Sequence, residues 1–266
     1  MLKTAAFLRM DILTAASYRL QMLLSLAGLL ATAVPLYFIA RALQPMMAGP
    51  IRGEGDDFFA FVLVGMVAFQ FMMAAIFALP TTLANGIRTG TLEALFVTPV
   101  RMTTLLQGMM AYNVLWAGAK SVVLLAVGWA LGVRFAGGQL LPTALIISLI
   151  VLAYAPFGIL GGALIVVYRT TGPVLRGVLA VSTLLGGVYF PTKVVPSWLS
   201  AVSTVTPLTY GLRALRRTLL EGVPLSAVAD DLAILAAFIL VLWVTAVAVW
   251  QVALRHARMA GTLAQY

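Results

Sequence analysis

Long apolar runs separated by short polar segments dominate the sequence. The six runs are 20–40, 58–83, 105–133, 140–168, 174–190 and 232–254. Most of them reach the roughly 20 residues that cross a bilayer as a helix, and all exceed the roughly 10 alternating residues of a barrel strand. Because unpaired backbone groups are costly in hydrocarbon, the pattern predicts an all-α, polytopic membrane protein with six transmembrane helices.

Two other segments have weaker apolar patterns. Residues 1–20 mix apolar and charged side chains at roughly helical spacing, which predicts an amphipathic interfacial helix along the headgroups. A plain solvated leader is the alternative. The run 174–190 is short and is followed by Pro191 and by moderately apolar pieces. We therefore predict that 191–222 form a re-entrant outer loop with helices between spans five and six.

Composition narrows the class of protein further. Hydrophobic residues make up 62% of the chain, charged residues only 9%, and the mean hydropathy is +1.06, which excludes a soluble domain. The chain has no cysteine, so disulfides, thiolate catalysis and cysteine-ligated metal are excluded. A single histidine, His256, cannot assemble a zinc or proteolytic site by itself. We expect no catalytic or metal site in this chain.

The distribution of basic residues predicts the orientation. If successive loops alternate between the two sides, nine of the 17 Lys and Arg fall on the side of both termini, and seven fall on the other side. Four of those seven lie in the long loop 191–231, where charges weigh less in the positive-inside rule. Both termini are therefore predicted to be cytoplasmic. The net charge of +9 is spread without a basic stripe, which argues against nucleic acid as a partner and favours membrane lipid.

No sequence for binding a nucleoside triphosphate is present. A phosphate-binding loop needs Gly-Lys-Ser/Thr, whereas the three lysines, Lys3, Lys120 and Lys193, follow Leu2, Ala119 and Thr192. Any ATP must therefore be hydrolysed by another polypeptide.

A compact semi-polar segment, 90–99, lies between two of the predicted spans. Pro99 lacks a backbone N–H and disfavours helical geometry at Thr98, so a short helix that begins near residue 89 should end there. Glu93 gives this helix a charge. Its apolar side chains are Leu92, Leu95 and Phe96. Such a helix can bind a groove of a soluble partner; an ordinary interhelical turn is the alternative.

Two groups of residues resemble a known family. The run Gly-Thr-Leu-Glu-Ala-Leu-Phe-Val-Thr-Pro at 90–99 is similar to the cytoplasmic motif of ABC-2 type exporter permeases. Gly-Gly-Val-Tyr-Phe-Pro at 186–191, Val-Pro-Ser-Trp-Leu at 195–199, Thr-Pro-Leu-Thr-Tyr at 206–210 and Arg-Ala-Leu-Arg at 213–216 are similar to the end of that family's fifth span and the loop after it. The order and the spacing both fit.

The resemblance implies a single ABC-2 type transmembrane domain over 1–266, with coupling helices pressed by an ATPase subunit. The second coupling element would be the connection 168–173. The residues implied for ATPase coupling are Arg88, Thr91, Leu92, Glu93, Leu95, Phe96, Pro99, Arg169 and Thr170. Family members often carry a Glu or Arg-Glu pair shortly before the Gly-Thr-Leu-Glu run, whereas positions 85–88 here read Asn-Gly-Ile-Arg. This departure leaves the detailed coupling geometry open.

The function implied by the resemblance is ATP-driven export of a hydrophobic or amphipathic drug, lipid or glycolipid across the cell membrane. ATP and Mg²⁺ would bind a separate nucleotide-binding subunit, and two copies of this chain would form the pathway. The alternative substrate is a lipid-linked oligosaccharide or polysaccharide. A membrane scaffold is a further alternative. An ion-coupled secondary transporter would need intramembrane acids or inverted repeats, and the predicted spans contain no Asp or Glu.

Six residues are candidates for the substrate pathway and its outer gate. They are Lys120, Tyr189, Phe190, Pro191, Trp198 and Tyr210. Lys120 lies mid-span, where a lysine costs roughly 2.5 to 3.5 kcal/mol, so it should face protein or water. The alternative is that it snorkels or pairs with a carbonyl or Asn113. Trp198 and Tyr210 also suit a purely interfacial role.

Three arginines, Arg213, Arg216 and Arg217, recur at helical spacing in the long loop. The two possible partners are lipid phosphate and the acidic cluster of Glu221, Asp230 and Asp231, and the sequence does not decide between them.

Overall fold

A computed structural model describes residues 19–88, 102–168, 172–194 and 196–259, and this part of the chain is helical without any strand. The helices are α1 Arg19–Met47, α2 Phe58–Arg88, α3 Met102–Ala130, α4 Leu140–Tyr168, α5 Gly172–Leu185, α6 Ser197–Ser203, α7 Pro207–Leu220 and α8 Ala229–Met259. A 3₁₀ turn, Leu225–Val228, precedes α8. The predicted all-α class is confirmed for these residues.

Among the described helices, five are long and apolar enough to cross a membrane, namely α1 to α4 and α8. The fifth predicted span is different. Its helix, α5, has 14 residues and is about 21 Å long, which is shorter than the roughly 30 Å hydrocarbon core. It ends at Leu185, and Gly187 follows with a φ of 81°, a conformation that suits glycine. The sixth span therefore stays a prediction.

Observed helix ends differ from several of the predicted ones. α1 continues beyond residue 40, and α8 begins before residue 232 and runs past residue 254. An apolar run marks the part of a helix that suits lipid, whereas helical hydrogen bonding continues through flanking charged residues. The predicted interfacial helix, 1–20, lies outside the described residues except for its last two positions, which belong to α1.

The core is built around α2, which packs against α1, α3, α4 and α7. Most of its apolar side chains are buried, whereas α1 and α8 expose most of theirs. α4 approaches α2 closely at Gly158, where a Cβ atom would lie 2.7 Å from the carbonyl oxygen of Ala75. Small residues at such positions let membrane helices approach each other.

A proline in α4 is compensated by a side chain of α8. Pro156 has no N–H, so the carbonyl of Leu152 loses its usual helical donor. The indole Nε1 of Trp243 donates a hydrogen bond to this carbonyl, with a distance of 2.9 Å. The contact links the last helix to α4 in a region where free backbone groups are costly.

Three connections, 48–57, 131–139 and 186–228, meet at one end of the bundle, and we refer to them together as the cap. The Lys193 amine donates to the carbonyl of Arg52 at 3.1 Å. The backbone N–H of Ala136 donates to the carbonyl of Leu219 at 2.9 Å, and the Gln139 amide donates to that of Gly222 at 3.2 Å. If successive loops alternate between the two sides of the membrane, these three connections are predicted to lie on the same side. In the structure they are joined by the hydrogen bonds just described.

The segment predicted as re-entrant, 191–222, contains α6 and α7. α7 packs against α2, α4 and α8. Gly211 of α7 lies so close to α4 that a Cβ there would be 2.6 Å from the Ile150 side chain. α7 is thus part of the packed bundle, whereas α6 is largely exposed and packs against α5. The depth of both helices in the membrane stays a prediction.

Candidate functional site

A groove of about 460 Å³ lies between α1, α2 and the turn 186–190. Its volume is in the range of small-molecule pockets. The lining residues are Leu29, Ala31, Thr32, Pro35 and Leu36 of α1, Met66, Phe69 and Gln70 of α2, and Tyr189. The lining is mainly apolar, with a few polar groups.

The polar groups of the groove differ in how well they are paired. The Thr32 hydroxyl donates to the carbonyl of Leu29 at 2.8 Å, so its donor is used. The Gln70 side chain is half-buried and forms no hydrogen bond with the residues that the structure describes. Pro35 removes the usual helical donor to the carbonyl of Ala31. The Gln70 amide, the Tyr189 hydroxyl and the Ala31 carbonyl are therefore the hydrogen-bonding groups left for a ligand.

The turn that carries Tyr189 is fixed by α2. The carbonyl oxygen of Val188 approaches Gly65 so closely that a Cβ atom at Gly65 would overlap it. Val188 itself is completely buried. Only a glycine at position 65 allows this approach. The approach brings Tyr189, the residue after Val188, beside Met66 and Gln70 of α2.

Arg216 of α7 is buried beneath the same turn, with 2% of its surface exposed. Its Nη1 forms an ion pair with Glu54 Oε2 at 3.1 Å. Its Nη2 donates to the carbonyls of Gly187 at 2.7 Å and Val188 at 3.2 Å, and Nε donates to that of Phe61 at 3.2 Å. Burial lowers the pKa of Arg216 to about 10 although Glu54 opposes the shift, so the side chain is charged at neutral pH.

The other two arginines of α7 have different partners. Arg213 Nη1 pairs with Asp231 Oδ1 at 3.0 Å, and Arg217 Nη1 donates to the carbonyl of Ala227 at 3.1 Å. Of the two predicted kinds of partner, lipid phosphate and a nearby acidic residue, Arg213 has the acidic one, Asp231. Arg216 binds Glu54, an acid that the sequence analysis did not connect with it.

Of the six predicted pathway residues, only Tyr189 lines the groove. Phe190 is half exposed and Pro191 is buried. Trp198 lies on α6 with 69% of its surface exposed.

Tyr210 and Lys120 are the other two of the six predicted pathway residues. The Tyr210 hydroxyl donates to the carbonyl of Thr204 at 3.0 Å, and its ring lies 6.0 Å from that of Phe238 on α8. Lys120 is half-buried on α3 and has no hydrogen bond or ion pair within the described ranges. Their roles in transport stay predictions.

The predicted coupling residues lie almost entirely outside the described residues. Arg88 is the last residue of α2. Those not described are Thr91, Leu92, Glu93, Leu95, Phe96, Pro99, Arg169 and Thr170. The helix ends that flank 89–101 and 169–171 belong to helices whose other ends adjoin the cap. Both segments therefore connect helices at the end of the bundle opposite the cap.

Sequence reasoning missed Gln70, Gly65 and the pairing of Glu54 with Arg216. Gln70 could have been found, because it is the one polar side chain between Phe58 and Leu79. The other contacts join segments far apart in the chain, and no local pattern predicts them.

A comparison with protein families identifies the class. Residues 15–220 match the profile of the family described as ABC-2 type transporter, which is well over half of the 266 residues. The chain belongs to this family. This ABC-2 type chain is therefore a multi-pass membrane protein and a transport permease rather than a catalytic domain. The matched region includes the groove, Arg216 and both predicted coupling segments. No curated protein matches the sequence.

Proposed function

We propose that the chain is the membrane-spanning subunit of an ATP-driven exporter in the cell membrane, with both termini in the cytoplasm. The family match over 15–220 carries this proposal. Two copies would form the pathway, since α1 and α8 leave long apolar faces for lipid or for a second subunit.

A separate ATPase subunit would bind ATP and Mg²⁺ and dock on 84–104 and 169–173. Two observations support this assignment. The chain has no Gly-Lys-Ser/Thr sequence, and both segments join helices at the end of the bundle opposite the cap. Closure of the ATPase would move the two segments and shift the helices between two packed arrangements.

The proposed substrate is hydrophobic or amphipathic: a drug, a lipid or a glycolipid. The groove supports this class, because apolar side chains cover most of it while Gln70 and Tyr189 offer hydrogen-bonding groups. Pockets of this kind bind largely apolar ligands and orient them through a few polar contacts. A lipid-linked oligosaccharide remains the alternative substrate.

The first step is a search of the neighbouring genes for an ATPase reading frame, and the experiment is reconstitution of the chain with that ATPase in nanodiscs. ATP hydrolysis is measured across a panel of phospholipids, glycolipids, lipid-linked oligosaccharides and hydrophobic dyes. Stimulation by amphipathic compounds is expected; stimulation by lipid-linked oligosaccharides alone would favour the alternative. If no ATPase co-purifies and none is stimulated, the exporter assignment is wrong.

A further inference from the structure

The deeply buried cation of the cap, Arg216, is bonded through all three of its nitrogens. These bonds reach the carboxylate of Glu54 and the carbonyls of Phe61, Gly187 and Val188. The guanidinium carbon also lies 3.3 Å from the centroid of the Phe61 ring. One side chain of α7 thus joins the loop 48–57, the start of α2 and the turn 186–190.

The arrangement requires an arginine. Its planar fork presents several donors in fixed directions, whereas a lysine is a single point charge that cannot reach three separated carbonyls and a carboxylate together. A buried charge is tolerated when it is paired and hydrogen-bonded, and Glu54 supplies the opposite charge with 11% of its side chain exposed.

Two glycines make room for these bonds. Gly187 has a φ of 81°, which turns its carbonyl and that of Val188 towards Arg216 Nη2. Gly65 lets Val188 lie directly on α2. We name the set Arg216, Glu54, Gly65 and Gly187 the clamp.

We propose that Arg216 and Glu54 are positioning residues, which hold the turn 186–190 against α2 and thereby set the place of Tyr189 at the groove. Within the clamp, Arg216 donates to the carbonyls of Gly187 and Val188, the two residues immediately before Tyr189. Without the Arg216 and Glu54 bonds, the turn keeps its apolar contacts and the hydrogen bond from the Gly186 N–H to the Ser182 carbonyl. That bond holds the turn to α5 and not to α2, so Val188 and Tyr189 move away from α2. The effect on transport rests on the proposed function, whereas the positioning itself does not.

The neighbouring ion pair provides a contrast on the same helix. Arg213 pairs with Asp231 at 3.0 Å but has 41% of its side chain exposed, and within the described residues it donates no hydrogen bond to the turn 186–190. Arg213→Met removes a cation from α7 as Arg216→Met does, yet it leaves the clamp intact. It is the matched control.

The test uses the purified permease alone, in detergent, so it does not depend on an ATPase or a substrate. Because the chain has no cysteine, Val188→Cys introduces a single thiol at a buried position. We expect slow maleimide labelling of Val188→Cys by itself. Labelling should accelerate about tenfold or more when Glu54→Gln or Arg216→Met is added, because the turn opens locally. Arg213→Met should leave the rate unchanged.

A spectroscopic readout separates positioning from general loosening. A bimane label at Tyr189→Cys reports the groove, and the same label at Trp198→Cys reports an exposed site of the cap. Glu54→Gln should shift the emission at position 189 and not at position 198. Glu54→Gln keeps the shape of the side chain, so this variant tests the charge without leaving a cavity.

The proposal is overturned if Val188→Cys labels at the same rate in the Glu54→Gln, Arg216→Met and Arg213→Met backgrounds. It is also overturned if both bimane labels shift together in Glu54→Gln, since that outcome indicates a general structural loss. A positive labelling result combined with failure of ATPase stimulation would leave the clamp in place and reject the exporter assignment instead.

Discussion

Gln70 and Lys120 are long polar side chains within apolar helices, and neither has a hydrogen bond or ion pair with the residues described. Polar groups in such positions are costly in hydrocarbon and usually face a cavity, water or a partner. Gln70 lines the groove, whereas Lys120 does not. The two residues therefore lead to different expectations.

Replacement of Gln70 by Leu should weaken substrate binding. We expect the half-saturating concentration of a stimulating amphipathic compound to rise about fivefold to tenfold, because one hydrogen bond to the ligand is lost. The maximal rate should change less. Gln251→Leu is the matched control, since Gln251 is exposed on α8. Equal concentration dependence in the two variants would remove Gln70 from the binding site.

Replacement of Lys120 by Met should impair export without lowering expression. The substitution removes a charge that costs roughly 2.5 to 3.5 kcal/mol at the centre of a membrane helix, so the fold should not suffer. Export of a fluorescent lipid from vesicles measures the effect. Unchanged export in Lys120→Met would favour the snorkelling alternative, and Lys120→Arg distinguishes a need for charge from a need for lysine.

Among the helices, the contact between Trp243 and the carbonyl of Leu152 compensates for Pro156. Trp243→Phe should lower the free energy of unfolding in mixed micelles by about 0.5 to 2 kcal/mol, because that carbonyl loses its donor. Trp129→Phe is the control, as Trp129 is 74% exposed on α3.

A double-mutant cycle tests whether the Trp243 hydrogen bond is stabilising because Pro156 leaves the Leu152 carbonyl without a helical donor. Pro156→Ala restores a backbone N–H, so the carbonyl regains a helical donor and Trp243→Phe should cost less in that background. The explanation is wrong if Trp243→Phe has the same cost with proline and with alanine at position 156.

The sequence predicted the two ends of a helix correctly where the apolar run and the helical hydrogen bonds stop at the same residues. The run 140–168 coincides with α4, Leu140–Tyr168. α5 is shorter than its run because Gly186 and Gly187 end the helix while the sequence stays apolar. α1 is longer than its run, since Arg41 interrupts the hydropathy but not the hydrogen bonds.

The candidate site was less predictable than the helices. Tyr189 was named from its motif, and it does line the groove. The bond between Arg216 and the carbonyl of Gly187 joins residues 29 positions apart, and the pair with Glu54 joins residues 162 apart. Such contacts depend on how α2 and α7 pack, which a single sequence does not encode in any local pattern.

For the whole assembly, the docking proposal predicts the effect of a charge reversal. Glu93→Arg should reduce the amount of ATPase that co-purifies about tenfold or more. If Glu93 lies at the edge of the interface, the new charge repels the partner; if it lies inside the interface, the partner's charge is left unpaired. Stimulated hydrolysis should fall in parallel. Glu221→Arg is the control at the cap, where Glu221 is exposed. Full retention of both signals in Glu93→Arg would contradict docking at 84–104.

α2 begins at the cap with Phe58 and ends at Arg88, within the predicted docking segment 84–104. Its proline, Pro80, lies two turns before that end, and a proline lets a helix bend locally. We therefore expect a sideways push on Arg88 to tilt the part of α2 after Pro80 and to leave Gly65 and Phe61 in place. A displacement along the helix axis is expected to reach the start of α2, so the helix would transmit axial force in preference to lateral force.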